Sequence, residues 1–216
     1  LVAAFFGKGR KTKFAYPDYV VVKVPQFSFS RLQGADPVLR VEMASTGEVA
    51  CFGDTFEEAL LKAIYSSIPF SDKKSALLAL GGAVNKRRFL EAARRLVAAG
   101  YVLYATASTH QFLNGNAVAA KLVHKVYEGK TPNVADLINR KRVGFVVNLS
   151  DQDPGRERHR KQHVTDGYLI RRAAVDNNVP LFTDLQLARS FIRAVTSYKM
   201  KDLKIKSWRE YTERKN

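Results

Sequence analysis

Apolar positions along this chain change period near residue 70, and the change divides its reading. Before that point, residues 19–24 are β-branched and strand-like, and Pro25 is expected to stop them. Gly34, Asp36 and Pro37 mark a turn, and residues 48–52 read as a second strand ending at Gly53. Asp54 is placed to cap a following helix with Glu57 as its N3 residue, a capping-box variant. Phe56, Ala59, Leu60, Ala63 and Ile64 recur at helical spacing and give that helix one apolar side. Residues 66–72, SSIPFSD, combine a proline with three serines and read as a linker. Residues 1–18 hold Gly7, Gly9 and a basic run of Lys8, Arg10, Lys11 and Lys13, without a clear period.

After the linker, short apolar runs alternate with helical stripes. Residues 75–80 predict a strand that enters Gly81 and Gly82. Asn85 is expected to cap a helix burying Phe89, Ala92, Ala93, Leu96 and Val97. Arg87, Arg88, Glu91, Arg94 and Arg95 cover its other side, and Gly100 ends it. Further strands are predicted over 101–105, 119–123, 143–147 and 180–183. A short helix opens near Ser108, and Thr131 with Pro132 supplies an N-cap and N1 pair for a helix reaching about residue 140. Helices are also predicted over 165–177 and 185–197. Five strands, each followed by a helix or helical turn, imply an α/β fold with a parallel sheet covered on both faces. The expected division is 1–69 as one piece and 70–216 as the α/β domain.

Such sheets bind ligands beyond the carboxyl ends of their strands, where the strand order reverses. Polar residues do gather just after the predicted strands. Lys86 follows the first, Thr106, Ser108 and Thr109 follow the second, Lys125 follows the third, and Asn148 with Ser150 closes the fourth. Helix starts offer unpaired N–H groups to an anion, hydroxyl residues let oxygen atoms approach, and each lysine adds a point charge. Asn148 offers both a donor and an acceptor. Each residue alone also reads as a cap, a turn former or a solvated side chain; their placement at successive strand ends is what points to a pocket. Charge fits this without proving it: 36 Lys and Arg against 20 Asp and Glu give a net charge of +16. The excess suits an anionic partner, or equally the solvated surface of a piece of a larger assembly.

Composition narrows the rest. Hydrophobic residues make up 46% of the chain, enough for a core, and no apolar run approaches the roughly 20 residues of a membrane span. One cysteine, Cys51, excludes an intrachain disulfide and a Cys-rich zinc site, which suits a reducing compartment.

Several ordered segments carry a family resemblance. YVLYAT at 101–106, LVHKVYEG at 122–129, VVNL at 146–149, YLIRR at 168–172 and NVPLFT at 178–183 resemble the methylglyoxal-synthase-like domain. Residues 20–53 resemble the closing segment of the second synthetase half of carbamoyl-phosphate synthetases. The chain thus reads as the C-terminal part of such a large chain: an ATP-grasp remnant over 1–69, then an allosteric domain. A start at Leu1, inside what resembles a longer domain, agrees with a fragment.

The resemblance implies a sheet order of 3-2-1-4-5 and a fragment that is not catalytic by itself. It implies no cofactor in this piece, with ATP and Mg²⁺ or Mn²⁺ used by the full-length ligase. Glu42 and Glu48, the prominent acids of the first piece, lie outside the family's metal motif. The implied effector is UMP, UDP or UTP, held by Lys86, Thr106, Thr109, Lys125, Asn148 and Ser150, with phosphoribosyl pyrophosphate as an opposing effector. Arg156, Arg158 and Arg171 could close on a phosphate, and Arg171 and Arg172 could instead pair with acids of a neighbouring domain. Further partners would be the rest of the synthetase and its glutaminase subunit or domain, in the cytoplasm, without membrane or nucleic acid.

Three alternatives remain open. The ammonia-dependent urea-cycle form, which is mitochondrial, takes N-acetylglutamate in the same pocket, and KSWREYTERK at 206–215 is similar to its tail. That form has tryptophan where Lys125 stands and asparagines where Asp151 and Gly167 stand. Methylglyoxal synthases use an acid as base with a histidine nearby, for which His110, His124, Asp151 and Asp153 are the candidates. The basic loop PGRERHRK at 154–161 and the basic tail suggest nucleic-acid binding, though no recognition motif accompanies them.

Overall fold

The computed structural model describes residues 17–27, 34–38, 47–151 and 166–213. Strands β1 (Val20–Gln26) and β2 (Gly47–Gly53) pair antiparallel as a two-stranded sheet. Pro25 does not end β1; it lies within it, opposite Glu48. A two-stranded sheet leaves each strand an open side, where a residue lacking an N–H is tolerated. Glu48 forms an ion pair with Lys23 at 2.5 Å, and Glu42 lies outside the described residues.

Helix α1 (Phe56–Ser67) starts one residue later than expected. Thr55 is its N-cap and accepts from the Glu58 N–H, while the Asp54 N–H donates to Glu58 Oε2 at 2.8 Å. Ala59, Leu60, Ala63 and Ile64 are buried as expected, whereas Phe56 is exposed.

Among the described residues, strands and helices alternate over 75–197. β3 (Ser75–Leu80), α2 (Ala83–Ala98), β4 (Val102–Thr106), α3 (Ala107–Gly115), β5 (Lys121–Val123) and α4 (Val134–Asn139) come first. β6 (Phe145–Leu149), α5 (Asp166–Asp176), β7 (Leu181–Phe182), α6 (Leu185–Ser197) and α7 (Trp208–Thr212) follow. The five later strands are all parallel, in the order β5-β4-β3-β6-β7. Counted within this sheet, that is the expected 3-2-1-4-5.

Alternation along β3 fills two layers. Ala76, Leu78 and Leu80 join Phe89 and Leu96 of α2, Phe191 and Ile192 of α6, and Leu60, Leu61 and Ile64 of α1. The stacked rings of Phe182 and Phe191, 4.4 Å apart, lie in that layer. Leu77 and Ala79 face the other way, toward Leu137 and Ile138 of α4 and Ile170 and Ala174 of α5. Val97 is partly exposed, outside both layers.

Two other expected caps are displaced. α2 starts at Gly82, not Asn85. α4 is capped by Asn133 in a reciprocal box with Asp136, while Thr131 and Pro132 precede it across a cis bond. The reciprocal pair satisfies two backbone donors, which a Thr-Pro start cannot do.

The first strands and α1 are tied to the far end of the chain. Lys62 Nζ bonds Glu58 Oε1 at 2.7 Å, Phe52 O at 3.0 Å and the Tyr211 hydroxyl at 3.2 Å. Tyr211 itself donates to Phe52 O at 3.1 Å. Burial pushes the Glu58 carboxyl up, but the hydrogen bonds from Lys62 and Asp54 and the Lys62 charge outweigh it, leaving it below its ordinary 4.5. Its contribution is therefore complete above pH 4.5 and is lost as pH falls through the lowered value. Glu58→Ala should cost about 3 kcal/mol in urea unfolding at neutral pH, because Lys62 is left buried without its charge partner. The margin of wild type over Glu58→Gln in melting temperature should shrink as pH drops below 4.5.

Candidate functional site

The strand order reverses at β3, whose neighbours are β4 on one side and β6 on the other. At its carboxyl end three loops are pinned together. The Gly81 N–H donates to Leu149 O at 2.7 Å, and Asn85 Nδ2 donates to both Gly81 O and Ser150 O at 2.9 Å. A Cβ on Gly81 would meet Asp151 N at 2.5 Å and Leu149 O at 2.8 Å, so the two loops touch backbone to backbone. Gly82 has φ +72, and a Cβ there would come 2.7 Å from Asp151 Oδ1. The Asp151 carboxylate thus stands beside the start of α2, where negative charge is favoured.

On the β4 side, Thr106 ends the strand and is the N-cap of α3 without a side-chain cap bond. Thr109 is fully buried, and its hydroxyl accepts from the Leu80 N–H at 3.0 Å. The Thr106 hydroxyl reaches Thr109 Oγ1 at 3.5 Å. The Thr109 hydroxyl therefore locks α3 to β3, while Ser108 is exposed on the first turn of α3.

Lys125 follows β5 and pairs with Asp166 of α5 at 2.7 Å. These two, with Val126, Val134, Leu169 and Ile170, line a shallow surface depression. Asn148 is buried on β6, and its Oδ1 accepts from Arg171 Nη1 at 3.1 Å. Arg171 also grips Asp36 with its other edge. Arg172 pairs with Asp176 one turn along α5 and donates to Ala35 O. Lys86 lies half-buried in the first turn of α2, and Ser150 is exposed just past β6.

The structure thus brings Lys86, Thr106, Ser108, Thr109, Lys125, Asn148 and Ser150 to one end of the sheet, at the ends of four strands. Arg156, Arg158, Asp153 and the loop 154–161 lie outside the described residues. The histidines considered for catalysis have local partners: His110 bonds Asn114, and His124 bonds Glu128, whose carboxyl that hydrogen bond holds below its ordinary value. Among the described residues, no three His, Cys, Asp or Glu side chains gather as metal ligands, and no helix is long and apolar enough to cross a membrane. Asp166, Asn85, Gly81 and Asp36 were not singled out as site residues from sequence. Asp166 could have been noticed as the acid beside Gly167 at a helix start; the others show only once the loops are folded.

Residues 88–183 match the MGS-like domain family. This stretch is an MGS-like domain. Around it, the chain is 41% identical over 184 residues to the multifunctional protein pyr1-3 of Dictyostelium discoideum, covering 84% of this chain and 8% of that protein. It is 42% identical over 185 residues to the multifunctional protein CAD of Squalus acanthias, covering 82% of this chain and 8% of that protein. It is 38% identical over 200 residues to the mitochondrial carbamoyl-phosphate synthase [ammonia] of Homo sapiens, covering 90% and 13%. The chain therefore spans a small share of these relatives, and the resemblance to carbamoyl-phosphate synthetases read from its sequence holds. A methylglyoxal synthase from Elizabethkingia anophelis superposes with a TM-score of 0.46 at 18% identity, covering 68% of this chain and 95% of that one.

Two substitutions test how the MGS-like domain holds its loops. Thr109→Val leaves the buried Leu80 N–H without a partner and should cost about 2 kcal/mol in denaturant unfolding. Gly81→Val drives side-chain atoms into the backbone at Leu149 and Asp151 and should cost about 3 kcal/mol or prevent folding.

Proposed function

We propose that this chain is the allosteric effector-binding part of a carbamoyl-phosphate synthetase and that its effector is a uridine nucleotide. The observation that carries the reading is the gathering of two lysines, Asn148 and the start of α3 at the switch-point end of an MGS-like sheet. A phosphate would lie between Lys125 and the first N–H groups of α3, which lack a side-chain cap. Asn148 and Ser150 would meet the ribose or the base. Lys86, at the start of α2, adds charge on the β6 side of the rim.

Two acids qualify the electrostatics. Asp166 already pairs with Lys125, so an incoming phosphate has to displace that carboxylate. Asp151, beside Gly82, would repel a second carboxylate at close range. Any anionic group of the effector is therefore better placed on the α3 side of the rim, away from Asp151.

In the whole enzyme, ATP with Mg²⁺ or Mn²⁺ and the glutaminase subunit or domain belong to other parts of the molecule, and residues 1–69 would be the end of an ATP-grasp domain. Effector binding would then shift the enzyme between states of unequal effector affinity. The chain alone binds effector without catalysis, and phosphoribosyl pyrophosphate would compete at the same rim with the opposite effect on the enzyme.

Calorimetric titration of the chain with UMP, UDP, UTP, phosphoribosyl pyrophosphate and N-acetylglutamate checks this. Uridine nucleotides should bind, and binding of acetylglutamate alone would overturn the effector. Lys125→Ala should weaken nucleotide binding about tenfold, the loss of one charged hydrogen bond. Asp166→Asn should tighten it about threefold by releasing Lys125 from a half-buried ion pair. An unchanged affinity in Lys125→Ala would remove that lysine from the phosphate site.

A further inference from the structure

The orientation of the Asn148 amide is set from outside the sheet. Asn148 is 4% exposed, and its Oδ1 faces Arg171 Nη1. A guanidinium only donates, so this contact assigns the amide: the oxygen turns to Arg171, and Nδ2, which only donates, is left for other partners. Arg171, 5% exposed on α5, spends its other edge on Asp36, with Nε to Oδ1 at 2.7 Å and Nη2 to Oδ2 at 2.5 Å. A two-point carboxylate contact fixes the guanidinium plane as well as its place.

The segment that carries Asp36 is itself held on α5. The Tyr168 hydroxyl donates to Gly34 O at 2.8 Å, and Arg172 Nη1 donates to Ala35 O at 3.0 Å. Space beside the pair is tight. A Cβ on Gly167 would come 3.0 Å from Arg171 Nη1 and 3.5 Å from Asn148 Oδ1.

We propose that Asp36, acting through Arg171, positions the Asn148 amide so that the effector rim presents a donor there and selects hydrogen-bond acceptors. Residues 34–38 in turn sense the occupant of the rim through the same bonds. The ligand part rests on the effector reading above; the positioning of Asn148 does not. When Asp36 releases Arg171, the guanidinium plane turns freely and the amide loses its fixed face. Its oxygen can then meet the rim, where it repels a phosphate or carbonyl oxygen. By linkage, whatever factor the docked segment 34–38 contributes to effector affinity, the effector contributes to docking. Charge works in the opposite direction, since removing a carboxylate near the rim favours an anion. The Asp36 side chain is 42% exposed, so screening keeps that effect to about twofold.

The test compares wild type, Asp36→Asn, Asp36→Glu and Arg171→Lys by nitrogen-15 NMR and by calorimetry with UMP. The Asn148 side-chain amide resonances are identified by their absence in Asn148→Ala. In Asp36→Asn and Arg171→Lys those resonances should shift or broaden without ligand, and UMP affinity should fall about tenfold, as for one lost hydrogen bond to a charged group. Asp36→Glu, which keeps the carboxylate, should recover part of both, and UMP should slow amide hydrogen exchange over 34–38. Unmoved Asn148 resonances in Asp36→Asn would overturn the positioning. Equal or tighter UMP binding in that variant, with the resonances moved, would overturn its bearing on the rim. A wild-type chain that binds no nucleotide, while the resonances still move in Asp36→Asn, would remove the effector reading and leave the positioning of Asn148 standing.

Discussion

Backbone contact at the carboxyl end of β3 is the constraint on which the rim depends. The loop after β6 crosses Gly81 so closely that no side chain fits between them. The N–H groups of Leu80 and Gly81 are spent on Thr109 and Leu149, groups from α3 and β6. Asn85 then ties the next turn to Ser150. Three loops distant in sequence thus take their positions from one strand end. A parallel sheet provides the opportunity, since all its strands finish on the same side; the hydroxyl, the glycine and the amide make the arrangement specific.

Net charge explains less of the site than arrangement does. Exposed side chains such as Arg87 and Arg88 on α2 contribute to the excess of +16 without entering the rim. Within it, Lys125 meets Asp166, and Asp151 occupies the start of α2. The rim is a place of alternating charge, where the proposed ligand would exchange one carboxylate contact for another anion's. Selectivity would then follow from which hydrogen-bonding faces are fixed and which carboxylates can move.

Much of the fold was legible because its signals are local. The run at 75–80 is bounded by Lys73, Lys74 and two glycines, and both its ends are where the sequence put them. The helix Leu185–Ser197 was equally plain from its apolar stripe, with Asp184 as its N-cap. Caps were harder. Thr55 rather than Asp54 accepts from the Glu58 N–H, while Asn133 rather than Thr131 completes a reciprocal bond with the N3 acid Asp136. Alignment of Thr106, Asn148 and the lysines at strand ends could be read from order alone. The partners of those residues could not, since Asp36 and Arg171 are 135 residues apart and no periodicity links them. The buried Thr109 hydroxyl shows the same limit: sequence places it at a helix start, while only the folded sheet reveals that Leu80 claims it.

Tyr211 bonds Phe52 across 159 residues and also satisfies Lys62. A ribosome releases β1, β2 and α1 long before it releases α7. Until then, the ammonium of Lys62 lacks one of its acceptors, and Phe52 and Tyr19 lack the rings of Trp208 and Tyr211 that pack against them. The contacts that complete β1, β2 and α1 thus come from residues made after the whole intervening sheet, so these elements are completed late in the folding of the nascent chain.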